Sequence, residues 1–140
     1  MIHHCSLQVR SYEVDGYNHV NNAVYLNYLE YARMEFLKAI GFDYRLMRER
    51  GYSLLVARVY IEYKHPAEPD DYLTIITTPI KKQKTSGVFK QTIWKGEKMI
   101  CSAEVTWVCV DSHGRPVRIP HELDSPELNP KKEDIDGSIH

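Results

Sequence analysis

The chain lacks most of the features that mark specialised protein classes. It has three cysteines in 140 residues, Cys5, Cys101 and Cys109, and no Cys-x-x-Cys pair. An odd, scattered set of thiols argues against a disulfide framework and fits a reducing, cytosolic setting. No apolar run is long enough to span a bilayer. Met1-Ile2-His3-His4 is not followed by the apolar stretch of a signal peptide. Neither charge is in excess: a net charge of −1 and a pI of about 6.6 exclude the strong basic bias of a general nucleic-acid binder. No serine has nucleophile-elbow spacing, so a Ser/His/Asp triad of that kind is not indicated. No cluster has metal-ligand spacing, and the terminal His3 and His4 read as solvated side chains.

What remains is an ordinary globular composition, 43% hydrophobic and 26% charged. The length suits one domain with a sizeable core, and there is neither an internal repeat nor an interdomain linker. Residues 1–123 read as the domain. Residues 124–140 read as a polar, proline-containing tail with little regular structure.

Hydrophobic periodicity predicts the elements. Leu7 and Val9 alternate with Gln8 and Arg10, giving a first strand over residues 6–14. From Ala23 to Ile40 the spacing is helical. Tyr25, Leu29, Ala32, Phe36 and Ile40 form one stripe, and Leu26, Tyr28, Tyr31, Met34 and Leu37 widen it, so the helix is expected to be largely buried. Gly41 is a natural stop. Asp43 is placed to cap a short second helix ending at Arg50 and Gly51. Strand patterns follow. Leu55, Ala57, Val59, Ile61 and Tyr63 alternate with polar or outward positions. Tyr72 to Lys82 is rich in Thr and Ile, with Pro79 requiring an edge or a bulge. Val88 to Trp94 makes a further run, as does Met99 to Cys109 after the turn at Gly96. On this last strand Cys101 and Cys109 fall on the apolar side and read as small core residues. Consecutive strands with short turns predict an antiparallel sheet. One buried helix then needs that sheet to bend around it. The fold class is therefore α+β, a bent antiparallel sheet wrapped around one long central helix. The edges and face this leaves open predict self-association.

One segment carries chemistry: Asp15-Gly16-Tyr17-Asn18-His19-Val20-Asn21-Asn22-Ala23, running straight into the long helix. It sets a carboxylate a few residues ahead of a helix N-terminus, where backbone N–H groups are unpaired and the dipole is positive. A carboxylate drives attack and free N–H groups hold an oxyanion, the two requirements of ester or thioester hydrolysis. Asp-Gly is also a common turn dipeptide, and Asn21 and Asn22 are natural helix caps. A capped helix end still offers outward N–H donors, so the two readings coexist.

These residues resemble the hotdog-fold acyl-CoA thioesterases, in the branch of the 4-hydroxybenzoyl-CoA thioesterase. The family pattern is an Asp, a short loop, Gly-His-Val-Asn-Asn, and then a helix with Tyr and an acidic residue. Here it reads Asp15, Asn18-His19-Val20-Asn21-Asn22, Tyr25, Tyr28, Glu30 and Arg33. The likeness in element order runs over roughly residues 5–122, and Glu62-Tyr63-Lys64-His65-Pro66-Ala67 and the segment 114–120 also fit. The departure is Asn18 in place of the family's Gly. Asn is the residue that best tolerates the left-handed region after Gly, so the loop shape is expected to persist.

The resemblance implies hydrolysis of an acyl-CoA thioester to a free acid and CoA, with Asp15 as general base or nucleophile. The backbone N–H near Asn22 would be the oxyanion donor. His19 would shape the loop and line the pocket; its spacing from Asp15 also admits a His–Asp base. Tyr25 and Tyr28 would pack and line the pocket, a role their helical spacing shares with plain core. Glu30 and Arg33 read as a helix pair, and Glu62 as a solvated or interface residue. CoA phosphates call for cations and N–H groups, and Lys82, Lys84, Ser86 and Arg118 are the candidates. Edge lysines also serve as aggregation guards. No cofactor and no metal is expected, CoA entering only as part of the substrate. The expected partner is a second copy, as a homodimer or homotetramer. Two other readings stay open: hydrolysis of acyl groups on acyl carrier protein, and non-catalytic acyl-CoA binding on the same fold.

Overall fold

The structure, a computed structural model, describes residues 1–138. The chain forms β1 (His3–Gln8), a 3-10 turn (Ser11–Glu13), α1 (Asn22–Ala39) and α2 (Tyr44–Glu49). Four strands follow: β2 (Ser53–Tyr63), β3 (Tyr72–Lys82), β4 (Ser86–Lys95) and β5 (Lys98–Val110). Two 3-10 turns (His121–Leu123 and Pro126–Leu128) and α3 (Lys132–Ser138) complete it. The strands make one five-stranded sheet in the order β1-β3-β4-β5-β2, every neighbouring pair antiparallel. This is the α+β arrangement the sequence implies, with one long helix on the inner face of an antiparallel sheet.

The helix ends follow local chemistry. Asn21 caps α1 and Asp43 caps α2, each side chain accepting a backbone N–H, and Gly41 supplies the positive φ of 72° at the exit. Tyr25, Leu29, Ala32 and Phe36 on the expected stripe are buried, as are Tyr28 and Leu37. Leu26, Tyr31 and Met34 stay substantially exposed, so one flank of α1 has no cover within the chain.

Three expectations are corrected. The first strand runs over His3–Gln8, not residues 6–14, because its partner begins at Tyr72 opposite Gln8. Past that point Val9 bonds to Asp70 and Asp71, and Glu13 accepts the Arg10 N–H at 2.7 Å to close a 3-10 turn. In β2 the simple alternation breaks at Ala57, where the register against β5 shifts. Val56 and Leu54 therefore pair with the buried Trp107 and Cys109, and Leu55 turns to the other face. The bulge adds one residue and reverses the parity of everything before it. The tail is also more ordered than its composition suggests. Leu128 is buried against the core, α3 follows, and the Met1 ammonium pairs with Asp134 at 2.7 Å. One apolar anchor in a polar segment suffices to dock it. The expected tail's last residues, 139–140, lie outside the described residues.

Pro79 occupies the position its chemistry demands. Pairing of β1 with β3 stops at Thr77, and the β3–β4 register shifts just after Pro79, so the missing N–H costs no ladder bond. Gly87 is equally constrained: a Cβ there would lie 2.5 Å from the Trp107 ring. The three cysteines are free and buried, and burial pushes the Cys101 thiol up to about 12.

Candidate active site

The loop before α1 is held by its own backbone. Val14 and Val20 form an isolated antiparallel bridge, the Asp15 N–H donates to the His19 carbonyl at 2.7 Å, and the Asn18 N–H to the Asp15 carbonyl at 3.0 Å. Asn18 has φ 63°, so the substituted position does take the left-handed conformation. External bonds fix the loop: Val20 N–H donates to the Ala67 carbonyl and Asn21 N–H to the Glu13 carbonyl, each at 2.9 Å.

Within this frame the Asp15 carboxylate is half engaged. Oδ1 accepts the Tyr17 N–H at 2.9 Å and the His19 N–H at 3.4 Å. Oδ2 has no hydrogen-bond partner among the described residues, and the side chain is exposed. The helix end is engaged in a complementary way. Asn21 Oδ1 accepts the Ala23 N–H at 2.9 Å, and the Asn21 carbonyl accepts the Val24 N–H. The Asn22 N–H is left without a partner among the described residues. A helix start leaves several such donors, and capping here reduces them to one adjacent to the loop.

Asp15, His19, Asn22 and Tyr25 line one cleft of about 340 Å³, together with Tyr63 and His65. Tyr25 is buried; its hydroxyl accepts the Ala67 N–H at 3.1 Å, and burial raises its phenol. His19 lines the cleft, but its ring makes no hydrogen bond to Asp15 among the described residues; only its backbone N–H reaches the Asp15 carboxylate. The structure places Tyr28 behind the cleft instead of in its wall. Its hydroxyl donates to Glu13 Oε1 at 2.9 Å, and burial, with the Glu13 carboxylate beside it, raises its phenol strongly. Because Glu13 also holds the Arg10 and Asn21 N–H groups, Tyr28 braces the segment that carries Asp15. Tyr63 and His65 fall in the segment Glu62–Ala67 that fits the family pattern, but residue patterns assigned neither a place in the site. Tyr63 donates its hydroxyl to the Asn22 carbonyl at 3.1 Å, and the His65 Nδ1 lies 2.9 Å from the Met99 carbonyl. Their signal is tertiary: the end of β2 comes to rest beside the start of α1.

Lys82, Lys84 and Arg118 do not join this cleft. They line another of about 520 Å³, with Tyr52 and His121. Lys82 pairs with Asp124 at 3.1 Å, and Ser86 donates to Gln83 at 3.3 Å. The register gives the separation. Tyr63 stands opposite Cys101, whereas Cys109 bonds to Thr85, which puts the two clefts roughly 26 Å apart along β5.

The sheet order, the single long helix and the loop at its N-terminus define a hotdog-fold protein. The profile of the thioesterase-like superfamily matches residues 9–126, and the chain belongs to that superfamily. It is 32% identical over 131 residues to the acyl-acyl carrier protein thioesterase ATL3 of Arabidopsis thaliana. The match covers 88% of this chain and 66% of ATL3, so the chain spans just under two thirds of that relative. It is 34% identical over 107 residues to the long-chain acyl-CoA thioesterase FadM of Escherichia coli, covering 75% of this chain and 80% of FadM. A structure described as a probable thioesterase from Bartonella henselae superposes with a TM-score of 0.81 at 29% identity, over 86% of this chain and 100% of that one. No helix among the described residues is long and apolar enough to cross a membrane.

Proposed function

We propose that this chain hydrolyses acyl-CoA thioesters to a free carboxylic acid and CoA, in the cytosol. The observation that carries the reading is the meeting in one cleft of an unpaired Asp15 Oδ2 and an unpaired Asn22 N–H. The thioester carbonyl oxygen accepts the Asn22 N–H, whose helix dipole favours the developing negative charge. Asp15 takes a proton from water as the water oxygen attacks the carbonyl carbon. The tetrahedral intermediate then breaks its C–S bond and the thiolate leaves with that proton. Alternatively Asp15 attacks the carbonyl carbon directly, the C–S bond breaks to release CoA, and water opens the resulting mixed anhydride to the free acid and the restored Asp15 carboxylate. Neither route calls on a metal or cofactor. Tyr63 holds the carbonyl of Asn22 and so the direction of the helix's first turn.

The same reading calls for a second copy. β2 is an edge strand, and Val56, Val59, Tyr60 and Tyr63 on it are between 37% and 60% exposed, which an isolated sheet avoids. Antiparallel pairing of β2 with itself about a two-fold axis covers this edge. It also reverses the strand, bringing the Tyr52 end of one copy beside the Tyr63 end of the other. The cleft of Lys82, Lys84 and Arg118 then lies beside the opposite copy's Asp15, where CoA phosphates need cations.

The test is thiol release from short, medium, long and aromatic acyl-CoAs, with acyl carrier protein thioesters assayed beside them. Turnover of one or more CoA esters is expected. Turnover on carrier-protein esters alone would transfer the reading to that substrate. Acyl-CoA binding with no hydrolysis of either would refute it.

A further inference from the structure

The core divides along α1 into two apolar clusters, one around Tyr25, Leu29, Ile75 and Ile93 and the other around Phe36, Leu37, Phe89 and Trp107. Polar side chains stand at the division. Gln91 and Thr77 are fully buried. The Gln91 amide nitrogen donates to the Leu29 carbonyl and to Thr77 Oγ1, both at 3.0 Å, and its oxygen accepts from Arg33 Nη1 at 3.0 Å. Gln91 is thereby fixed, and it fixes Arg33. Arg33 is half-buried; burial lowers its guanidinium, and the charge of Glu30 acts in the opposite direction. No carboxylate among the described residues lies within ion-pair distance of it, and most of its N–H donors have no protein partner there.

Helical spacing places Asn22, Leu26, Arg33 and Leu37 on one side of α1. Tyr63 of β2 meets this side at Asn22, and Leu54 and Val56 meet it near Arg33 and Leu37. The cleft at Asn22 and the cavity at Arg33 thus share one side of α1, and the groove proposed for the acyl chain runs between them along α1 and β2. Arg33 stands eleven residues along, roughly 16 Å down the axis. Beside it is a largely apolar cavity of about 100 Å³ walled by Leu37, Tyr44, Leu54, Phe89 and Trp107, with Glu30 and Arg33 as its charged lining.

We infer that Arg33, anchored by Gln91, is the specificity-determining residue that sets the length of acyl chain this groove accepts. The inference rests on the hydrolase reading above. A chain whose carbonyl is on Asn22 and whose end stops short of Arg33 leaves the guanidinium hydrated. A longer hydrocarbon must pass a partly desolvated cation and strip water from N–H donors that it cannot satisfy. The cavity at Arg33 is room that a longer chain reaches only when the cation is gone.

The experiment measures kcat and KM for saturated acyl-CoAs of increasing length on the wild type, Arg33→Met and Arg33→Lys, with thermal unfolding of each. In Arg33→Met the optimum moves to longer chains. The long-to-short ratio of kcat/KM rises about tenfold, the worth of two newly buried methylenes, mainly through KM. Arg33→Lys keeps the cation and the wild-type profile. If Arg33→Met does not fold with the Gln91 oxygen unpaired, Arg33→Gln removes the charge, keeps an N–H donor at that position and leaves the Gln91 bonds to Leu29 and Thr77 in place, and the profile shifts in the same direction. An unchanged length profile in a folded variant of an active wild type overturns the inference alone. A wild type inactive on every acyl-CoA overturns the hydrolase reading and this inference with it.

Discussion

Replacing Asp15 by Asn separates charge from shape at the proposed site. The two loop bonds to Oδ1, from Tyr17 N–H and His19 N–H, pass unchanged to the Asn oxygen. The Nδ2 group replaces Oδ2, which has no partner to lose. Asp15 is exposed, so stability should move by no more than about 0.5 kcal/mol. The loss then falls on catalysis alone. A positioned base contributes about 10²–10⁴-fold, which corresponds to roughly 3–5 kcal/mol of barrier. The assay is kcat/KM by thiol release on the best acyl-CoA, alongside a thermal melt. The new Asn-Gly pair is prone to deamidation back to Asp, so intact mass is checked on the assayed sample. A fall of less than tenfold in a sample of the correct mass would remove Asp15 from the mechanism and turn attention to His19. Asn22→Ala is the companion control: its donor is main chain, so a loss comparable to that of Asp15→Asn would contradict the assigned oxyanion group.

Three further outcomes are expected. Gly87→Ala pushes a methyl to within 2.5 Å of the Trp107 indole and should cost about 1–3 kcal/mol in urea unfolding; a change below about 0.5 kcal/mol would mean the ring moves freely. Val56→Asp/Val59→Lys on the exposed edge of β2 should convert a dimer to a folded monomer in sedimentation and abolish turnover, and a wild type already monomeric and fully active would refute the shared site. Burial opposes ionisation of Asp71, but the Lys95 hydrogen bond, the Glu68 N–H and the Lys95 charge outweigh it and hold the carboxyl below its ordinary 3.8. Its contribution to stability is thus present above that value and lost as pH falls through the depressed one; Asp71→Asn should flatten the acid limb of the stability profile, and an unaltered limb would discount the pair.

Local information was enough for the parts of this molecule built from neighbours in the chain. The capped start of α1 at Asn21, the Asp43 cap and the Gly41 exit each depend on backbone chemistry within a few residues, and each was legible in residue types and spacing; the left-handed Asn18 followed from the family resemblance, where Gly is usual. So was the carboxylate ahead of a helix N-terminus. Long-range contacts decided the rest. The bulge at Ala57 exists because β2 must match β5, and no alternation of side chains announces an unpaired residue. Tyr63 and His65 reach the cleft only because β2 ends beside α1. Tyr28, one turn past Tyr25, is drawn out of the cleft wall by Glu13, and Arg33 is held by a glutamine 58 residues away in the chain. The cationic residues match a CoA site in type, yet they stand at the other end of the sheet. Residue type determines what a group can do; where it acts depends on which distant segments share a surface, and that is set by sheet register and core packing.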